Sequence, residues 1–255
     1  IAEFEGRRFT ESVKTLSKFV SDFSEHEGLG EAAINLGQAH LGLKNWEGAV
    51  KSFEKVPTNS KYRDRALYQA AHSNFKASKL IESIPYYKEL LGKHPSSPYA
   101  NDASYELAEV EFFIGSEKGG DPHRLADSAK RLTGLLSKKP ALDAQLRRVV
   151  LYRLGLVQFK QKNFLKSAKA FEDLLSAGAG NLLIQAAFQA GEARRQAAKI
   201  AKAPAKDREL RSALKNFEIA VQAKKAAPGT PDVKFQDNSL LSVGQCKAQL
   251  ELWVD

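Results

Sequence analysis

The chain has 255 residues, 43% of them apolar and 27% charged, a globular composition long enough for one extended domain or two compact ones. No apolar run approaches the roughly 20 residues of a membrane-spanning helix, and the lone Cys246 excludes an intrachain disulfide and a cysteine-based zinc site. Net charge is +9 but uneven: residues 1–117 hold 14 Lys and Arg against 17 Asp and Glu, the remainder 25 against 13. A basic C-terminal half of this kind could draw an acidic partner, an anionic surface or nucleic acid, although a solvated Lys-rich helix surface is the simpler reading.

The chain starts Ile1-Ala2-Glu3-Phe4 and contains no Met, so it is expected to be a processed chain or part of a longer protein. Phe9, Ser12, Leu16 and Phe19 stand three and four apart, which predicts an amphipathic helix over 8–23, the second helix of a hairpin. Residues 31–55 make the first full helix pair. From Leu80 to Ala108 the pattern repeats: Ser83, Tyr87 and Leu90 share one helical face, Lys93-His94-Pro95 stops the helix, and the next carries Ala103, Tyr105, Leu107 and Ala108. Pro85 inside the first of these predicts a late start or a bend. A helix pair of this size cannot bury its apolar face alone, so neighbouring pairs must stack on it.

Four residue columns recur down the chain. The small residue of each first helix is Gly37, Ala71, Ala108, Gly155, Gly191 and Gly244, a size that lets two helices approach closely. A bulky residue opens each second helix at Phe9, Trp46, Leu80, Leu125, Phe164 and Leu210. Three residues on stands a small one (Ser12, Ala49, Ser83, Ser128, Ser167, Ala213), and four beyond that a large apolar one (Leu16, Phe53, Tyr87, Leu132, Phe171, Phe217). The small residues of the second helices are 37, 34, 45, 39 and 46 residues apart, so insertions are expected. Residues 115–123 and 201–209 are read as lengthened turns within hairpins, and 224–233 as a lengthened link between hairpins. The final stretch, 237–255, reads as a first helix without a second, whose Leu250, Trp253 and Val254 would need a covering neighbour or would form a cap.

These columns carry a family resemblance. Leu36-Gly37-x-x-His40, Trp46, Ala49-x-x-x-Phe53 and Val56 resemble the tetratricopeptide repeat nearly position for position. The resemblance implies an all-α, right-handed superhelical solenoid of stacked antiparallel helix pairs over residues 1–255, in approximate units 1–27, 28–58, 59–95, 96–140, 141–177, 178–227 and a partial 228–255. It implies a noncatalytic scaffold whose first helices line a groove for a peptide or a partner's helix. The groove candidates by column are Tyr68, Tyr105, Tyr152 and Phe188, then His72 and Glu109, then Arg195, with Arg153 beside Tyr152. Aromatic rings with polar neighbours suit peptide recognition, though about half of such rings are expected to be core.

One subclass of the family grips chaperone-tail carboxylates with Lys and Asn. Here the expected Lys positions hold Tyr68, Tyr105 and Tyr152, and only Asn35 fits, which argues against that ligand. The run from Lys93 to Ala103, KHPSSPYANDA, resembles the Y-P-x-S-x-Y/A-x-x-A link of bacterial envelope repeats like those of outer-membrane assembly lipoproteins and Tol-Pal accessory proteins. That likeness implies a bacterial, periplasmic or envelope scaffold.

No phosphate-binding glycine loop, nucleophile elbow or histidine pair at ligand spacing is present, so no catalytic, cofactor or metal site is expected. Protein or peptide partners are expected, with self-association through an exposed apolar face as a further outcome. Two alternatives stand beside this reading. One is an anionic-polymer or nucleic-acid binder using Arg147, Arg148, Arg153, Lys160, Arg194, Arg195 and Arg211, although these residues form no base-reading element. The other is a regulatory segment of a larger enzyme.

Overall fold

The computed structural model describes residues 2–251 apart from Ala226 and Pro228, with side chains from Arg8 onward; Trp253 and Val254 lie outside the described residues. Among the described residues there are twelve α-helices and no strand. They fall into two compact units, Ile1–Ile114 and Gly115–Asp255.

The first unit contains α1 (Ala2–Asp22), α2 (Leu29–Gly42), α3 (Trp46–Glu54), α4 (Arg63–Lys76), α5 (Leu80–Lys93) and most of α6 (Ala100–Ser116). The second contains α7 (Pro122–Leu136), α8 (Ala144–Lys160), α9 (Phe164–Ser176), α10 (Leu183–Ile200), α11 (Ala205–Gln222) and α12 (Pro231–Gln249). From α1 to α5 and from α7 to α12 each helix packs on the next, and first helices also touch first helices, α2 on α4 and α10 on both α8 and α12. This is the all-α stack of helix pairs that the columns predict.

The columns meet in space. A Cβ on Gly37 would stand 2.3 Å from the Phe53 ring; on Gly155 and Gly191 it would stand 2.5 Å from the rings of Phe171 and Phe217. Those three rings are at most 1% exposed. Each second helix therefore lays its ring directly on the backbone of its first helix, an approach that glycine permits. In the α8–α9 pair the Ser167 hydroxyl adds a hydrogen bond to the Gly155 carbonyl at 2.8 Å, so the small residues of the two columns also join. Gly244 departs from the pattern: it is exposed, with nothing within 4 Å of a Cβ, because no second helix covers α12 among the described residues.

The short turns of three hairpins are alike. Lys44, Ser78 and Lys162 have φ of 55°, 60° and 61°. The next amide reaches back to the carbonyl five residues earlier: Asn45 to His40, Lys79 to Asn74 and Asn163 to Gln158, each at 2.9 Å. This six-to-one closure ends one helix with a single left-handed residue and launches the next. Asn45 then caps α3 by accepting from the Gly48 amide.

Two expectations are corrected, and of the two alternatives at Pro85 the late start is set aside. α5 starts at Leu80 and carries Pro85 in its interior, so the helix does not start late. The proline costs the bond to the Ile81 carbonyl, and Ile81 is 69% exposed, where water can take that place. The 201–209 insertion is mostly helix: only 201–204 lie between α10 and α11, and the rest lengthens α11 to 18 residues. Finally, α12 begins at Pro231, within the stretch read as a link, because Pro at the first helical position is already set for a helix.

Replacing Gly155 with Ala should destabilise the protein by about 1–3 kcal/mol, since the buried Phe171 ring must move and overpacking outweighs the gain in helix propensity. The matching change Gly244→Ala, with open space around it, should leave stability unchanged or raise it by up to about 1 kcal/mol. Lys162→Gly should stabilise by about 1 kcal/mol by relieving the left-handed backbone. Urea unfolding of the three variants checks all three signs.

Candidate partner-binding surface

In the first unit the surface is built on α4 and α6. Tyr68 and His72, four residues apart on α4, both face Glu106 of α6. The Tyr68 hydroxyl donates to Glu106 Oε1 at 3.1 Å, and His72 Nδ1 lies 3.0 Å from both carboxylate oxygens. The Tyr87 hydroxyl of α5 donates to Oε2 at 2.5 Å. Tyr99, in the KHPSSPYANDA link, stacks on Tyr68 with centroids 5.2 Å apart, and Ser97 of that link donates to Asp64 at 2.8 Å. The link thus holds the ring that the groove reading singles out.

Burial pushes the Glu106 carboxyl up, but the hydrogen bonds from His72, Tyr87 and Tyr68 outweigh it and hold the group below the usual carboxylate range. Burial, with the Glu106 charge second, disfavours the phenolate and pushes the ionisation of Tyr68 and Tyr87 well above the usual phenol range. Tyr86 is pushed up to about 12 by burial and by its bond to Glu54. Tyr105 is half-buried and Glu109 is buried at 9% exposure, so Glu109 presents little surface to a ligand.

In the second unit the first helices α8, α10 and α12 are joined by a polar relay. The Tyr152 hydroxyl donates to Gln185 Oε1 at 3.3 Å, and Gln185 Nε2 donates to Asp232 at 3.0 Å. Arg195 of α10 donates to Gln245 of α12 at 2.8 Å and pairs with Glu192 at 2.7 Å. Phe188 lies against Phe217 and Phe235, at 5.9 and 5.4 Å between centroids, so it is largely part of the core. Arg153 is half-buried beside Tyr152, where its charge opposes the upward push of burial on that phenol.

Two features lie outside the columns chosen from sequence. Glu106 sits two residues before the small Ala108, a position that is Asn35, Gln69, Arg153, Gln189 and Ser242 in the other repeats. That polar column was the available signal. The second is a network on the second-helix side: Arg194 grips Glu172 through Nε at 2.9 Å and Nη2 at 2.6 Å, and Glu209 through Nη1 at 2.7 Å, while Asn216 donates to Glu172 at 2.9 Å. Burial raises the Glu172 carboxyl, and the bonds from Arg194 and Asn216 more than reverse it. Arg194 and Arg195, both counted among the basic candidates for an anionic polymer, are therefore committed to carboxylates of their own chain.

Residues 149–177, the greater part of α8 and all of α9, match the tetratricopeptide repeat model. The fold is of the tetratricopeptide type. The chain resembles solved structures at the level of fold. The crystal structure of MamA protein is 16% identical, with TM-score 0.59 over 79% of this chain and 99% of that one. The MamA RS-1 ArsTM double mutant is 14% identical, with TM-score 0.55 over 88% and 97%. The C-terminal part of a TPR repeat-containing protein from Cytophaga hutchinsonii is 10% identical, with TM-score 0.58 over 98% and 92%. No curated protein matches the chain significantly by sequence. No helix among the described residues is long and apolar enough to cross a membrane. A tetratricopeptide-type stack explains why the polar ties run between successive first helices: that is where neighbouring repeats expose adjoining rows.

The shifted carboxyls and phenols predict a stability profile with an acid and an alkaline edge. Glu106 and Glu172 stabilise the fold above the ordinary carboxylate range of about 4.3, and that contribution is lost as pH falls through their lowered folded values. Tyr68, Tyr86 and Tyr87 have raised folded values, so their contribution is complete below about pH 10 and is lost above it. Urea unfolding across pH should show both losses. Glu106→Ala should cost about 3 kcal/mol at neutral pH by stranding buried phenol donors, and should flatten the acid edge.

Proposed function

We propose that this protein is a noncatalytic scaffold that holds a peptide or a partner's helix against its first helices, with Tyr68, His72 and Tyr105 as contacting groups in the first unit and Tyr152 and Arg195 in the second. The observation that carries this reading is the way those side chains are held. Tyr68 and His72 are tied to Glu106, and Tyr152 to Gln185, across neighbouring first helices, and all are half-buried. Side chains fixed in this way lose little entropy when a ligand covers their remaining surface. Tyr and Arg are the residue types in which binding energy concentrates.

The setting we propose is a bacterial cell-envelope assembly, in the periplasm. It rests on the likeness of the Lys93–Ala103 link to envelope repeats and on the placing of Tyr99 and Ser97 against α4. The anionic-polymer alternative is weakened by the pairing of Arg194 and Arg195 with Glu172, Glu209 and Glu192.

Used as bait on envelope and soluble fractions of the source organism, the wild-type chain should capture a protein that the Tyr105→Ala/Tyr152→Ala variant loses, with circular dichroism unchanged. Capture that survives the double change and collapses in moderate salt would overturn the reading and return attention to the basic half.

A further inference from the structure

We propose that the second unit carries a separate docking site at its turn edge, between α9, α10 and α11, for an acidic partner segment that inserts one bulky apolar side chain. A cleft of about 370 Å³ opens there. One wall is the start of α9, with Phe164 and Leu165; the other is the end of α10, the short turn and the start of α11. The second wall includes three small residues, Ala197, Ala201 and Ala205, where larger side chains would fill the space.

The apolar lining faces water. Leu165 is 52% exposed and Ile200 is 77% exposed, and both border the same cleft. Two large aliphatic side chains at one opening leave apolar surface that a ligand would remove from water. The cleft is open-sided, which suits a side chain projecting from a larger partner rather than an enclosed small molecule.

Charge selects the partner. Residues 160–168 hold Lys160, Lys162 and Lys166 with no acid, and residues 199–208 hold Lys199, Lys202, Lys206 and Arg208 with Asp207 as the lone acid. The one carboxylate that lines the cleft, Glu209, has a side chain only 4% exposed and is taken up by Arg194 at 2.7 Å and Arg208 at 3.1 Å. Lys162 and Lys166 are exposed at the rim. An apolar floor inside a cationic rim matches a Leu or Phe flanked by Asp and Glu. Nucleic acid would satisfy the rim alone and leave the floor uncovered.

The test uses the full chain with labelled Ile and Leu methyl groups and two synthetic peptides that share a Leu-Phe core, one flanked by Asp and Glu and the other by Lys. The acidic peptide should shift the Leu165 and Ile200 methyl resonances saturably, bind about tenfold more tightly than the Lys-flanked one, and weaken as salt rises. Ala201→Leu, which fills the cleft, and the surface change Lys162→Glu/Lys166→Glu, which reverses the rim, should each abolish the shifts with circular dichroism unchanged. Equal affinity for both peptides, or shifts confined to other methyl groups, would overturn the proposal. So would displacement of the peptide by oligo-dT, or concentration-dependent broadening of the same two methyl resonances without peptide, which would mark a second copy as the occupant.

Discussion

The structure depends on one close approach, the aromatic ring of a second helix lying on the glycine backbone of its first helix. At Gly37, Gly155 and Gly191 the rings of Phe53, Phe171 and Phe217 occupy the space that a Cβ would need. That contact sets the separation of the two helices and buries the ring fully, so it decides both the geometry of each pair and much of its core. Where Ala71 replaces glycine the partner is Tyr87, also fully buried, and its hydroxyl is carried onward to Glu106 of the following first helix. In that pair the core residue and the tie to the next repeat are the same side chain.

Polar groups then join one hairpin to the next, and the two units use opposite charge logic. In the first unit a single carboxylate, Glu106, gathers two phenols and an imidazole. In the second, a single guanidinium, Arg194, gathers two carboxylates, one of which also accepts from Asn216. Each group is largely removed from water, and each is supplied with enough partners to offset its desolvation. The surplus of basic residues in the C-terminal half is consequently not one uniform patch. Part of it is internal wiring, and one exposed cluster lies at the start of α9, the end of α10 and the start of α11.

The two surfaces proposed for ligands follow from this division. The first-helix face offers half-buried rings and amides whose positions are fixed by cross-helix bonds. The turn edge offers a space left open because small residues stand where a repeat could place large ones. Both arise from the same rule of stacking, in which side chains between helices are specified closely and those at the hairpin ends are free to vary.

Helix positions, the repeat columns and the all-α stack could be read from the residues, because residue size and a period near 3.6 are local properties that survive any rearrangement around them. The same local signals misplaced the start of α12 and the extent of α11, where a proline or an insertion could be accommodated by helix as readily as by loop. Of the candidate site, Tyr68, His72, Tyr152 and Arg195 could be found by column. Glu106 could not be singled out, since its donors Tyr68, His72 and Tyr87 lie 38, 34 and 19 residues away in the chain. Sequence alone determined the repeating columns of small and large residues on which each helix pair closes. Tertiary structure alone decided which charges neutralise one another and where a cleft remains, because both depend on distances between segments that no local pattern records.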